Sequence, residues 1–255
     1  MSAPVFLAEA STAHPLSGYA PGSVYVLDGA EGRHAGVVQR RGPGERIDVV
    51  DGAGVRLRTV VESVAGGEVH LRVEQVDLEP EPVVVVTLVQ ALAKGDRDEM
   101  AIEAATELGT DAIIPWQAER SVVVWRGDRA AKSRARWGST VRAATKQARR
   151  ARLPEVEPPL TTKQLAARAR EVVAAGGAVV VLHEDATSPL AGVPLPDVGE
   201  MLVVVGPEGG ISEAEVALLS DAGGVLARLG PHVLRTSTAG PVAIALLSDR
   251  LGRWS

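Results

Sequence analysis

The feature that most limits what this chain can fold into is a change of hydrophobic period near residue 80. Before it, "EVHLRVEQV" alternates apolar Val69, Leu71 and Val73 with polar His70, Arg72 and Glu74, the pattern of a strand with one wet face. "SVYVLDG", "ERIDVVDGAG" and "VRLRTVVESVAGG" are closed by Gly or Asp-Gly turn signals, so a small antiparallel barrel is expected, with a short helix at "GRHAGVVQR". After "DLEPEPVV", the run "VVVVTLVQAL" is apolar on both faces, as in a parallel sheet covered on each side by helices.

From there strands and helices alternate. A helix over "RDEMAIEAATEL" is expected to start at an acidic capping box of Asp96 and Glu99 and to stop at Gly109. Strand "DAIIPW", a basic helix from about Asp128, a helix from Thr162 to Ala175 and strand "AVVVLHE" continue the series. The expectation is a barrel over residues 1–79 and an α/β domain over 80–255, each long enough for its own core.

Composition removes several functions. With 45% hydrophobic and 23% charged residues the chain is an ordinary globular one, and without cysteine it has no disulfide, thiolate ligand or cysteine nucleophile. His14, His34, His70, His183 and His232 never fall at metal-ligand spacing, so no metal is expected. The start "MSAPVFLAEA" lacks a signal-peptide pattern and no apolar run spans a bilayer, which makes a cytoplasmic location the expectation.

The formal charge of −5 conceals a basic segment from Arg126 to Arg152, whose only acid is Asp128. It is either a solvated helix face or a surface for a polyanion.

Two loops carry the chemistry. In "LVVVGPEGGISEAEV" a strand ending at Val205 meets a helix whose Ser212 caps it while Glu215 returns the bond. Strand ends of open α/β sheets leave backbone groups free for a ligand, and glycine lets that backbone come close. Glu208 and the absence of a lysine after Gly210 disfavour phosphate. A ligand with hydroxyls, an adenine edge and a positive charge, such as S-adenosylmethionine, fits better; a tight turn that needs glycine only for its backbone angles is the competing account. The second loop, "GPHVLRTSTAGPVAIALL", offers Thr236, Ser237 or Thr238 as a helix cap, with Pro241 tolerated near the first turn.

At these residues the sequence resembles the uridine N3-methyltransferases of small-subunit (16S) ribosomal RNA, within the SPOUT superfamily. "GPEGG" at 206–210 and "LGPHVLRTSTA" at 229–239 look like the family's signature loops, and "KGDR", "ATELG", "ERS" and "KQARRARLPEV" match further. The resemblance implies a PUA-like RNA-binding barrel, a trefoil-knot methyltransferase domain, S-adenosylmethionine as cofactor, ribosomal RNA or an assembled small subunit as partner, and a homodimer. It carries the cofactor cradle onto Leu182, His183, Glu184, Gly206, Pro207, Glu208, Gly209, Gly210, Leu229, Gly230, Val233 and Leu234. Arg235 is then the candidate for stabilising a uridine anion, or a structural partner of Glu208, which could itself orient the target. RNA contacts are expected from Arg149 and Arg150, from Lys94, Arg97 and Arg120 near the site, and from Arg33, Arg40 and Arg41 of the barrel. Ser237 departs from the family's usual glutamate.

Overall fold

The computed structural model describes residues 3–8 and 15–254; His14 lies outside them. The chain divides into two compact units, residues 1–81 with 145–153, and residues 82–144 with 154–255.

The first unit contains β1 (Val5–Leu7), β2 (Val24–Leu27), α1 (Gly29–Arg33), β3 (Arg46–Val50), β4 (Val55–Ala65) and β5 (Glu68–Leu78). Strand order is β1-β3-β4-β5-β2. The expected antiparallel pattern holds except at one edge, where β1 pairs parallel with β3. The alternation read in β5 is met, with Val69, Leu71 and Val73 buried beside Phe6, Tyr25 and Ile47. Register shifts between Arg58 and Thr59, and between Val61 and Ser63, bend the long β4–β5 hairpin.

Residues 145–153, expected from the sequence in the α/β domain, pack into this first unit. Ala151 joins Val5, Leu7 and Val50 in a small core. Lys146 Nζ donates to both carboxylate oxygens of Glu31, at 2.9 and 2.7 Å. Arg152 donates to the carbonyls of Glu79 and Pro80. Part of the basic segment is thus used to hold the fold together.

The second unit contains β6 (Val84–Ala91), α2 (Arg97–Leu108), β7 (Ala112–Gln117), most of α3 (Asp128–Gln147), β8 (Glu155–Val156), β9 (Leu160–Thr161), α4 (Thr162–Ala174), β10 (Ala178–Leu182), β11 (Gly199–Val205), α5 (Glu213–Asp221), β12 (Val225–Ala227) and α6 (Thr236–Arg250). Its strands run β12-β10-β11-β6-β7-β8, with β9 also on β7, and every pairing is parallel. This is the α/β parallel-sheet fold the apolar runs imply. Val89 and Ala91 face α4 and α5 in one core, while α6 approaches Leu88 and Gln90 on the opposite side of β6. Helices on both faces explain why β6 is apolar on both.

The local capping signals are met at some helix ends and not at others. Ser212 and Glu215 form the expected capping box, and α2 ends at Gly109 in the left-handed region, φ 107°. The capping box of Asp96 and Glu99 is absent: Asp96 itself has φ 59° and its side chain makes no cap bond. Asp96 and Glu99 instead pair with Arg136, and Asp98 accepts the N–H groups of Ala93 and Glu99. Likewise no hydroxyl caps α6. Arg235 occupies its N-cap without a side-chain bond, and Pro241 lies inside the helix, five residues past its first, rather than in the first turn.

Candidate functional site

In a parallel sheet all strands end on one edge, so the loops after β6, β7, β10, β11 and β12 meet there. They enclose a cavity of about 350 Å3 between Leu182, Glu184, the 206–211 loop and Val233–Thr236. A second hollow of about 130 Å3 adjoins it and shares Leu182, Glu184, Val233 and Leu234. His183, Leu229 and Gly230 line this second hollow, together with Pro231 and His232. Gly206, Pro207, Glu208 and Gly210 line the first.

Gly209 turns away from the cavity. A Cβ there would lie 3.2 Å from Cβ of Arg120, whose guanidinium donates to the Gly209 carbonyl at 3.0 Å. Gly210 has φ 73°, where a β-branched residue is strongly strained. Gly206 is tight for another reason, since an added Cβ would come within 2.7 Å of Ile211 Cγ1.

Glu208, the residue that gives this glycine loop its unusual charge, points sideways. Its carboxylate accepts from Arg97 Nη1 at 2.9 Å and from the Lys94 N–H at 3.2 Å. Partial burial pushes the carboxyl up. Its own backbone N–H, the Arg97 guanidinium and the Lys94 N–H outweigh that and hold it below the ordinary glutamate value. The stabilisation is therefore complete above the unfolded-state pKa and is lost as pH falls through the lowered folded value. Glu208→Gln should flatten that acid limb in unfolding curves collected between about pH 3 and pH 7. A variant with an unchanged acid limb would remove Glu208 from the loop's support.

Arg97 is thus engaged by Glu208, and Arg120 by Gly209. The alternative partner for Glu208, Arg235, is not used. Arg235 lines the cavity, and its side chain makes no hydrogen bond or ion pair among the described residues. Its backbone is fixed, because its carbonyl accepts from Thr238 and Ala239 at 2.8 and 2.9 Å. Lys94 is exposed at the same edge.

The two signature loops are joined by the Thr236 hydroxyl, which the sequence suggests as a helix cap. Thr236 Oγ1 donates to the Gly206 carbonyl at 2.8 Å and accepts from Gln90 Nε2 at 2.9 Å. Gln90 was missed, although a lone amide in the run "VVVVTLVQAL" is a signal in itself, since a buried polar side chain needs partners. Thr236→Val keeps the shape and removes both bonds, so it should cost about 1–3 kcal/mol, whereas Thr236→Ser should cost far less. Urea unfolding of the two variants side by side distinguishes a hydrogen-bonded tie from mere packing. Val205, Ile211 and Ala239 also line the cavity without having been singled out.

The remaining basic residues expected to meet RNA lie in the first unit. Arg41 pairs with Glu45 at 3.1 Å, Arg33 packs against Gly67, and Arg40 is exposed with φ 53°. Arg149 has φ 57°, gives its carbonyl to Arg56, and borders a hollow of about 510 Å3 with Arg46 and Arg58. The Arg150 N–H donates to the Thr145 carbonyl. Among the described residues no cluster of His, Asp or Glu is arranged to hold a metal ion, and no helix is long and apolar enough to cross a membrane.

Comparison with known proteins bears on what this edge does. The chain is 48% identical over 233 residues to ribosomal RNA small subunit methyltransferase E of Mycobacterium bovis, covering 91% of this chain and 89% of that protein. The protein of the same name from Bacillus subtilis is 33% identical over 232 residues, covering 88% and 89%. Among solved structures, ribosomal RNA small subunit methyltransferase E from Neisseria gonorrhoeae, bound to S-adenosyl methionine, superposes with a TM-score of 0.82 at 27% identity, covering 98% of both chains. A methyltransferase from Legionella pneumophila in complex with the same cofactor gives 0.80 at 28%, again over 98% of both. The family model for the RNA methyltransferase domain matches residues 79–248, which takes in both loops and the whole parallel sheet. The chain belongs to the RNA methyltransferase family.

Proposed function

We propose that this protein is an S-adenosylmethionine-dependent methyltransferase that modifies N3 of a uridine in the 16S RNA of the small ribosomal subunit. Two relatives that are at least 33% identical carry the name of a small-subunit ribosomal RNA methyltransferase, and similar structures hold the cofactor. The observation that carries the reading is the cradle itself. Its walls combine apolar Leu182 and Leu234, the backbone of two loops and the carboxylate of Glu184, around the Arg235 guanidinium, which has no side-chain partner among the described residues. Apolar walls and carbonyls suit an adenosyl group with its diol and sulfonium better than a polyphosphate.

When bound, the cofactor supplies an electrophilic methyl group. The chain's task is to position the target and to favour its reactive form. Uridine N3 is protonated at neutral pH and becomes nucleophilic as the imide anion. Arg235, always charged and free to form a planar fork, can hold an imide oxygen as that charge develops. Glu208, already ionised and hydrogen-bonded by Arg97 and Lys94, braces the loop and is a poor proton acceptor. N3 lies on the Watson–Crick edge, so the uridine must enter unpaired or flipped out.

The reading includes a PUA-like barrel for the first unit, a trefoil knot of the SPOUT type for the second, a homodimer and a cytoplasmic setting. RNA would be held by Arg33, Arg40, Arg41, Arg149 and Arg150, with Lys94 at the cradle. Because Arg97 and Arg120 already serve the 206–210 loop, their contribution would be to position it.

The test is transfer of labelled methyl from S-adenosylmethionine to small subunits lacking native methylation, followed by nucleoside analysis. Label in N3-methyluridine is the expected result. Label on a ribose O2′, or on transfer RNA alone, would replace the target while keeping the enzyme class.

A further inference from the structure

We infer that the hollow on the far side of the Glu119–Arg120 turn is a second RNA subsite, which takes an unpaired nucleotide flanking the target uridine. Its base would stack on Trp125 and its phosphates would lie between Arg126 and Lys163. The inference rests on the reading of the protein as an RNA methyltransferase.

The hollow is about 780 Å3 and opens where β7 and β9 end, on the same sheet edge as the cradle. Its apolar wall includes Val124, Trp125, Leu160 and Leu218. Trp125 is braced by contacts within the protein. Its ring meets Trp137 edge-on at 5.0 Å, and its backbone N–H donates to Gln117 Oε1, while Gln117 Nε2 donates to the Val123 carbonyl. A preset aromatic platform loses little entropy on binding and accepts any base, since every base has a π-face.

Polarity points the same way. The Ser121 hydroxyl on the wall is buried and has no hydrogen-bond partner among the described residues, a deficit a ligand could relieve. Arg126 and Lys163 form no hydrogen bond or ion pair through their side chains among the described residues. The two wall carboxylates are consumed within the protein. Glu119 accepts the Ser212 hydroxyl at 2.6 Å, and Glu215 accepts the Glu119 N–H, the Thr162 hydroxyl and the Ser212 N–H. What remains available at the rim is positive.

The turn that bounds the hollow also bounds the cradle, because Arg120 holds Gly209 while Glu119 holds Ser212. On this inference, an RNA strand with its uridine in the cradle would run over the Glu119–Arg120 turn and bring a neighbouring nucleotide to Trp125.

The experiment measures binding of deproteinised small-subunit RNA and of S-adenosylmethionine by the full chain and its variants. Trp125→Ala should weaken RNA binding about 10- to 100-fold with cofactor affinity unchanged, and Trp125→Phe should restore most of it. The surface variant Arg126→Ala with Lys163→Ala, which disturbs no packing, should reduce the salt dependence of RNA binding by about one to two counterions. Wild-type RNA affinity and salt slope in these variants would overturn the inference. So would a change of sedimentation mass in Trp125→Ala with RNA affinity per protomer intact, which would make the hollow a protein interface. If the wild-type chain neither binds nor methylates the RNA, it is the enzymatic reading that fails.

Discussion

Arg235→Ala is expected to slow methyl transfer by about 100- to 1,000-fold while leaving S-adenosylmethionine affinity nearly unchanged. The expectation follows from where the side chain stands. Arg235 borders the cradle without a side-chain partner among the described residues, and Glu208, the carboxylate that could have claimed it, is held by Arg97 and Lys94. A guanidinium with no structural partner costs little to remove, so stability should change by no more than about 0.5 kcal/mol. An interaction realised only as the imide anion forms is lost from the rate and not from cofactor binding. Arg235→Lys should fall between, since it keeps the charge and loses the fork. Single-turnover rates, set beside calorimetric cofactor affinity, make the comparison. A wild-type rate for Arg235→Ala would leave the anion to be stabilised by another group, and Lys94 would be the next to test.

Gly206→Val is expected to lower cofactor affinity by more than about 100-fold and stability by about 1–3 kcal/mol. A Cβ at this position meets Ile211 Cγ1 at 2.7 Å, and Ile211 is itself buried in the core with Val204 and Leu219. Ile211 also lines the cavity, so yielding to that Cβ takes space from the ligand. The Gly206 carbonyl also receives the Thr236 hydroxyl, so displacing it separates the two loops that form the cradle. Gly209→Val is the informative contrast, because its added atoms meet Arg120 on the outer side of the loop. It should weaken binding less, by loosening a brace. Isothermal titration of both variants with S-adenosylmethionine decides the order, and equal, wild-type affinities would end the reading of this loop as a backbone cradle.

Much of the architecture follows from periodicity. One-sided alternation in β5 and two-sided burial in β6 depend only on whether each face meets water or protein, a property written residue by residue. The cap of α5 was legible for the same reason, since Ser212 and Glu215 are three residues apart and satisfy each other locally. The glycine loops could be located because a strand end must be followed by a turn. The family resemblance then supplied the cofactor, and with it the expectation of a knot and a dimer.

Partner choice over long separations was not legible. Asp96 and Glu99 have the spacing of a capping box, yet Arg136, from another helix, claims both. Thr236 stands where a cap is expected, yet Gly206 and Gln90 compete for its hydroxyl and win because burial makes their unpaired groups expensive. Residues 145–153 read as the continuation of a basic helix, and Glu31, Glu79 and Arg56 draw them into the first unit. The sequence alone determined most of the long strands and helices and the strand end at which the glycine loop sits, but not the short strands β1, β8 and β9. Only the tertiary structure decided that Glu208 pairs with Arg97 and leaves Arg235 without a side-chain partner among the described residues, because a charged side chain pairs with whichever opposite charge the folded chain brings within about 3 Å.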